Sequence, residues 1–158
     1  MRKTTLFIGL VLALVTLFSA CSGDTNGSDK TKPIVDADVV ITKNTISTKA
    51  QFIPVEVDGT KLEIIAVTAP DGTIRTAFNT CQVCYDSGKG FYKQDGDVLV
   101  CQNCGNRFKM SQVEVESGGC NPVPLWDDWT TETDDTITVP LTLLQEATAI
   151  FGNWKTEY

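Results

Sequence analysis

Phe52-Ile-Pro-Val-Glu-Val-Asp-Gly-Thr-Lys-Leu-Glu-Ile-Ile-Ala-Val67 sets two β-rich runs on either side of Asp58-Gly59. Asp-Gly at the centre of a two-residue loop supplies the positive φ that a tight hairpin demands, so Phe52–Val57 and Thr60–Val67 are predicted to pair antiparallel. Pro54 has no N–H to give to a ladder, which confines its strand to an edge or makes it the strand's start. Working outward, Val35–Ile41 is a further candidate strand. Pro70-Asp71-Gly72 marks a second turn, and Ile74–Phe78 is a strand that runs on into Cys81. Toward the C-terminus the period changes. Leu143, Ala147, Ile150 and Trp154 recur on one helical face, Pro140 suits the first turn, and Gly152 suits a stop. That stripe is expected to pack on the sheet as core. The fold class is therefore α+β, mainly β: a small antiparallel domain with a C-terminal helix.

Two Cys-x-x-Cys pairs follow the predicted sheet, Cys81/Cys84 and Cys101/Cys104, with sixteen residues between them. Thiolates at i and i+3 on a tight turn grip one metal, and a second such turn completes a tetrahedral set. The spacing falls in the range read as a metal site. The intervening segment is rich in Gly and Asp and ends in Val98-Leu99-Val100, so it reads as a zinc-ribbon-like hairpin that returns the second pair to the first. Gly105 gives the second turn a permissive backbone. Cys81, Cys84, Cys101 and Cys104 are thus the expected metal ligands. Two disulfides are the competing reading, and five cysteines in the domain leave one over. That one, Cys120, sits in Gly118-Gly-Cys-Asn-Pro122, a sharp turn that either displays it as an additional ligand or redox thiol, or buries it as an inert one.

The N-terminus argues for an oxidising compartment. Arg2-Lys3, an apolar run from Leu6 to Phe18, and Ser19-Ala20-Cys21 have the form of a signal peptide. The run is too short to cross a hydrocarbon core needing about twenty residues. Phe18-Ser-Ala-Cys21 resembles a bacterial lipoprotein processing site, although Phe18 stands where Leu is preferred; a transmembrane anchor or an ordinary signal peptide is the alternative. The expected organisation is residues 1–20 as lipoprotein signal, 21–33 as lipidated Cys21 and flexible tether, and 34–158 as a single metal-binding domain. The apolar-free stretch from Ser22 to Lys32 gives that tether a reach of roughly 20 Å. The protein is then expected on the extracytoplasmic face of a membrane, held by its lipid.

Composition closes off several classes. The chain has no histidine, which removes His-based triads, His-ligated haem and the usual zinc hydrolase sites. Losing Arg2 and Lys3 with the signal moves the formal charge from −7 to −9, a poor match for phosphate, so nucleic acid is not an expected partner. Asp127, Asp128, Asp134 and Asp135 lack the alternation of a calcium loop and read as a solvated acidic segment. Disulfide exchange of the thioredoxin kind lacks its βαβ setting. No catalytic residue is assigned, and an enzyme is the less favoured reading.

Arg75-Thr-Ala-Phe78, Cys81-x-x-Cys84, Gly90-Phe-Tyr92, Cys101-x-x-Cys104 and Gly118-Gly-Cys-Asn-Pro122 occur in one order over roughly residues 50–140. Together they resemble the C-terminal domain of the FtrD-like family, membrane proteins described as iron–sulfur-containing and often multi-spanning. The resemblance implies a metal site at Cys81, Cys84, Cys101 and Cys104, with Cys120 as a further matching position, and association with an iron permease. The implied cofactor is a metal ion or an iron–sulfur cluster, with iron or zinc foremost. Without twin arginines the leader implies export of an unfolded chain, which favours a site filled outside the cytoplasm by zinc, a single iron or cuprous copper over a cluster assembled inside. Two functions follow: a membrane-tethered redox or metal-handling module serving metal uptake beside a permease or redox partner, or a structural zinc ribbon that serves as a protein-interaction module.

Overall fold

The computed structural model describes residues 31–155, so the expected signal, Cys21 and most of the tether lie outside the described residues. Eleven strands and one α-helix are found among them. In chain order these are β1 (Ile34–Val35), β2 (Val39–Thr42), β3 (Gln51–Val57), β4 (Thr60–Thr68), β5 (Ile74–Cys81), β6 (Tyr92–Asp95), β7 (Val98–Cys101), β8 (Arg107–Lys109), β9 (Pro122–Pro124), β10 (Thr131–Glu132), β11 (Thr136–Val139) and α1 (Leu141–Ala147). The central sheet has the order β1-β3-β4-β5-β9, flanked by two three-stranded sheets, β10-β11-β2 and β6-β7-β8. The fold is mainly β with antiparallel sheets and a C-terminal helix, as expected from the hydrophobic periods.

The β3–β4 hairpin forms in the predicted register, with Val57 opposite Thr60. Asp58 and Gly59 take φ of 49° and 78°, the left-handed pair that a type I′ loop needs. Strand β1 reaches only Val55 and Glu56, so one flank of Pro54 has no strand beside it, the setting in which a residue without an N–H is tolerated.

Both faces of the central sheet are covered. Val55, Val57, Leu62, Ile64, Ala66 and Phe78 pack against Val39 and Ile41 of β2, Ile137 and Val139 of β11, and Leu144, Ala147 and Phe151. On the opposite face Ile65, Val67, Ala77 and Cys81 pack against Tyr92, Leu99, Phe108, Met110 and Val113. This is why Ile64-Ile65-Ala66-Val67 is buried continuously rather than alternately.

Two expected elements differ in detail. Val35–Ile41 is not one strand: β1 and β2 belong to different sheets. The break is at Asp36, whose φ is 47°. Its carboxylate accepts the Asp58 amide at 2.9 Å while its own amide donates to Glu56 at 3.0 Å. A contact twenty-two residues away thus sets the break. The helix is shorter than its stripe, ending in a 3-10 turn at Thr148–Ile150. The most buried side chains of the helix are Leu144 and Ala147, with Phe151 buried just after the turn and Leu143, Ile150 and Trp154 partly buried around them. Asp127, Asp128, Asp134 and Asp135 are all exposed.

Glu114 follows β8 in a left-handed conformation (φ 59°) and accepts a hydrogen bond from the Thr76 hydroxyl on β5 at 2.9 Å. Burial pushes its carboxyl up to about 7, against the hydrogen bonds from Thr76, with Asp127 adding repulsion. A carboxyl with a raised folded-state pKa binds more protons in the native state, so stability falls as pH climbs from about 4.5 to about 7 and stays reduced above that. Glu114→Gln is expected to flatten this slope. At pH 8 it should recover on the order of 2 kcal/mol, once partial solvent exposure is discounted. Chemical denaturation at pH 5 and pH 8 measures it, and an equal effect of the substitution at both pH values contradicts the assignment.

Candidate metal centre

Three separate segments deliver the cysteines. Strand β5 ends at Cys81, and its pairing with β9 slips between Phe78 and Cys81, where the first Cys-x-x-Cys turn begins. Strand β7 ends at Cys101, directly opposite Tyr92 on β6. Gly96, at φ 61°, turns the two-residue loop between β6 and β7. The third segment is the loop before β9 that carries Cys120.

In the first turn the Cys84 amide donates to the Cys81 sulfur at 3.4 Å. In the second the Gly105 amide donates to the Cys101 carbonyl at 2.9 Å, with Gly105 at φ 74°. Both are local folds that amide donors close around a thiol-bearing corner. The sulfurs of Cys81, Cys84 and Cys101 lie within 4.8 Å of one another, and so do those of Cys84, Cys104 and Cys120. Cys84 belongs to both groups. Cys120 sits 3.0 Å from Cys104 and 3.5 Å from Cys84, sulfur to sulfur. None of the five is bonded to another. Cys81, Cys84 and Cys101 are buried, Cys120 is half-buried, and Cys104 is exposed.

The thiols share protons unequally. A hydrogen bond from Cys101 draws Cys81 down to about 4 against the opposing effect of burial, with Tyr92 and the amides of Val83 and Cys84 helping. Cys101, donor in that bond and buried, is pushed up. Burial also raises Cys84. Burial acts upward on Cys104 too, but hydrogen bonds from Cys120 and the Asn106 amide outweigh it, so this thiol is lowered. Cys120, donating to Cys104, is raised. Each group of three thus contains one sulfur held toward the thiolate, the form that binds metal.

The expected metal ligands Cys81, Cys84, Cys101 and Cys104 all stand at this locus, and Cys120 joins them rather than standing apart. Side chains to which sequence reasoning gave no role place it there. The Tyr92 hydroxyl and the Asn106 amide both donate to the Cys120 carbonyl, at 2.8 and 2.7 Å. Gln82, inside the first Cys-x-x-Cys, accepts from the Gly118 amide and donates to the Pro122 carbonyl, clamping both ends of the Cys120 loop. Asn79 is fully buried; it accepts the Tyr92 amide at 2.7 Å and donates to Glu63 at 2.6 Å, tying the β6–β7 hairpin to the central sheet. An asparagine, a residue depleted in strands, where a predicted strand runs on into Cys81 was the available signal for Asn79. Nothing local marked Gln82 or Asn106.

Residues 30–151 match the family model described as membrane iron-sulfur containing protein FtrD-like. The chain belongs to the FtrD-like family. No curated protein and no solved structure matches it. The family description ties the chain to membranes and to iron–sulfur binding. Among the described residues no helix is long and apolar enough to cross a membrane. The donor set fits what the FtrD-like description implies, because iron–sulfur and other soft-metal centres are held by cysteine thiolates and here five converge.

Proposed function

We propose that this FtrD-like chain is a membrane-anchored, extracytoplasmic metal-thiolate protein, a redox or metal-handling module associated with the uptake of iron or another metal. Residues 1–20 serve as a lipoprotein signal, Cys21 carries the lipid, residues 21–33 form the tether, and 34–158 form one metal-binding domain. The metal centre uses Cys81, Cys84, Cys101 and Cys104, with Cys120 as a further ligand or redox thiol. A bound iron centre would supply one-electron chemistry or a cargo ion, and a membrane metal permease or redox protein is the partner.

One observation carries this reading: five cysteines from three segments meet at one spot, in a family described as iron–sulfur-containing. The exposure of Cys104 favours handling over a purely structural zinc ribbon, since a structural site is closed by its four ligands. The protein's own residues divide the work. Tyr92, Asn79 and Gln82 fix the cysteine-bearing segments, while Cys104 and Cys120 meet solvent.

The test is purification of the chain from its own membranes without oxygen, followed by metal and acid-labile sulfide analysis and intact mass measurement. The expected result is a diacylated or triacylated chain beginning at Cys21 and carrying iron or another thiolate-bound metal. Iron gives visible absorption, and sulfide accompanies it where a cluster is present. A metal-free native chain with two disulfides overturns the metal reading, and an unacylated chain overturns the anchor.

A further inference from the structure

Resting on that metal-thiolate reading, we propose that the centre holds two divalent soft-metal ions with Cys84 bridging them: an inner, retained ion on Cys81, Cys84 and Cys101, and an outer, exchangeable ion on Cys84, Cys104 and Cys120.

A tetrahedral ion with metal–sulfur bonds of about 2.3 Å sets its sulfurs about 3.8 Å apart. Two sets of three sulfurs come near this spacing, each set within 4.8 Å, and they overlap at Cys84. The four cysteines of the two Cys-x-x-Cys turns do not form such a set. One ion on those four would draw Cys104 away from Cys120, its 3.0 Å neighbour, and the Cys120 loop is held by four hydrogen bonds with Tyr92, Asn106 and Gln82. The structure has invested in keeping the fifth sulfur at the centre.

Charge points the same way. Metal binding requires deprotonated thiols. One divalent ion on the three inner thiolates leaves a formal −1, and a second ion that brings in the thiolates of Cys104 and Cys120 leaves the total at −1. Uncompensated charge in such a place is costly, and filling the outer position adds none.

The two positions differ in access. The inner ligands are 0 %, 8 % and 1 % exposed for Cys81, Cys84 and Cys101, whereas Cys104 is exposed and Cys120 half-buried. Three protein ligands leave a fourth position on each ion. For the outer ion that position opens to solvent, where an incoming ligand from a chelator or a partner protein displaces the thiolates stepwise. The inner ion holds the fold, and the outer ion is the one handed on.

Cobalt(II) is the probe. The processed chain is stripped, reduced and titrated without oxygen in detergent, with thiolate-to-cobalt absorption and native mass as readouts. The expected result is two equivalents bound, of which EDTA removes one at least tenfold faster than the other. Cys120→Ser and Cys104→Ser should each bind one slowly released ion. Cys101→Ser should bind one that is released quickly, and Cys84→Ser should weaken both. A single equivalent in the wild-type chain, or two equivalents retained in Cys120→Ser, overturns the two-ion assignment while leaving the metal-thiolate reading intact. No cobalt bound at all overturns both.

Discussion

Removal of metal from the chain is expected to release the β6-β7-β8 sheet while leaving the rest of the domain folded. The two hydrophobic layers are unequal. The layer between the central sheet and β2, β11 and α1 is built from Val55, Val57, Leu62, Ile64, Phe78, Val39, Ile137, Leu144 and Phe151, and contains no cysteine. The opposite layer includes Cys81, Cys84 and Cys101 among its buried members, with Cys120 packed against it. Thiolate–metal bonds at such a site contribute on the order of 10 kcal/mol to folding. That is comparable with the whole net stability of a domain this size. Without metal, the buried thiols must be stabilised by sulfur–sulfur hydrogen bonds, which are weak. Amide hydrogen exchange before and after chelation measures the outcome: protection at Tyr92–Cys101 should be lost, and protection in β3, β4 and β5 largely kept. Unchanged protection at Leu99 and Val100 after complete metal loss would show that the hairpin stands on its apolar packing alone.

Local chemistry made the central hairpin legible in the sequence. Asp58-Gly59 specifies its own turn, and the strands on either side carry enough β-branched residues to pair wherever they are placed. The convergence of Cys81 and Cys101 was legible for a similar reason, because a short hairpin closed at Gly96 returns the second Cys-x-x-Cys to the first. What the sequence did not reveal depends on distant partners. Asp36 breaks a strand because Asp58 and Glu56 hold it. Cys120 enters the centre because Tyr92, Asn106 and Gln82 grip its loop from three directions. A Gly-Gly-Cys turn read alone leaves display and burial equally open, and only the partners of the neighbouring backbone decide between them.

Gly90→Ala is expected to damage the metal centre without touching a cysteine. A Cβ at this position would lie 2.1 Å from the Cys84 carbonyl oxygen, 2.4 Å from its carbon and 2.8 Å from the Tyr85 nitrogen. These are backbone atoms, so no side-chain rotation relieves the clash. The Gly90 carbonyl also accepts the Cys81 amide at 2.6 Å, so the residue lies against both ends of the first Cys-x-x-Cys turn. Making room means moving either that turn or the entry to β6, and each shifts sulfurs relative to one another. Cys84 contributes to both sulfur groups, so its displacement disturbs all five ligands at once. Overpacking against immovable atoms costs about 3 kcal/mol or more, at the upper end of such substitutions. Metal affinity is expected to fall at least tenfold. Gly96→Ala is the natural comparison: its added Cβ meets nothing within 4 Å, and only its φ of 61° is strained. That should cost about 1 kcal/mol and leave metal content unchanged. Denaturation curves and metal stoichiometry on the two variants separate steric damage at the centre from general backbone strain. If Gly90→Ala keeps wild-type metal content and loses no more stability than Gly96→Ala, the close approach of Gly90 to the first cysteine turn does not hold that turn in place.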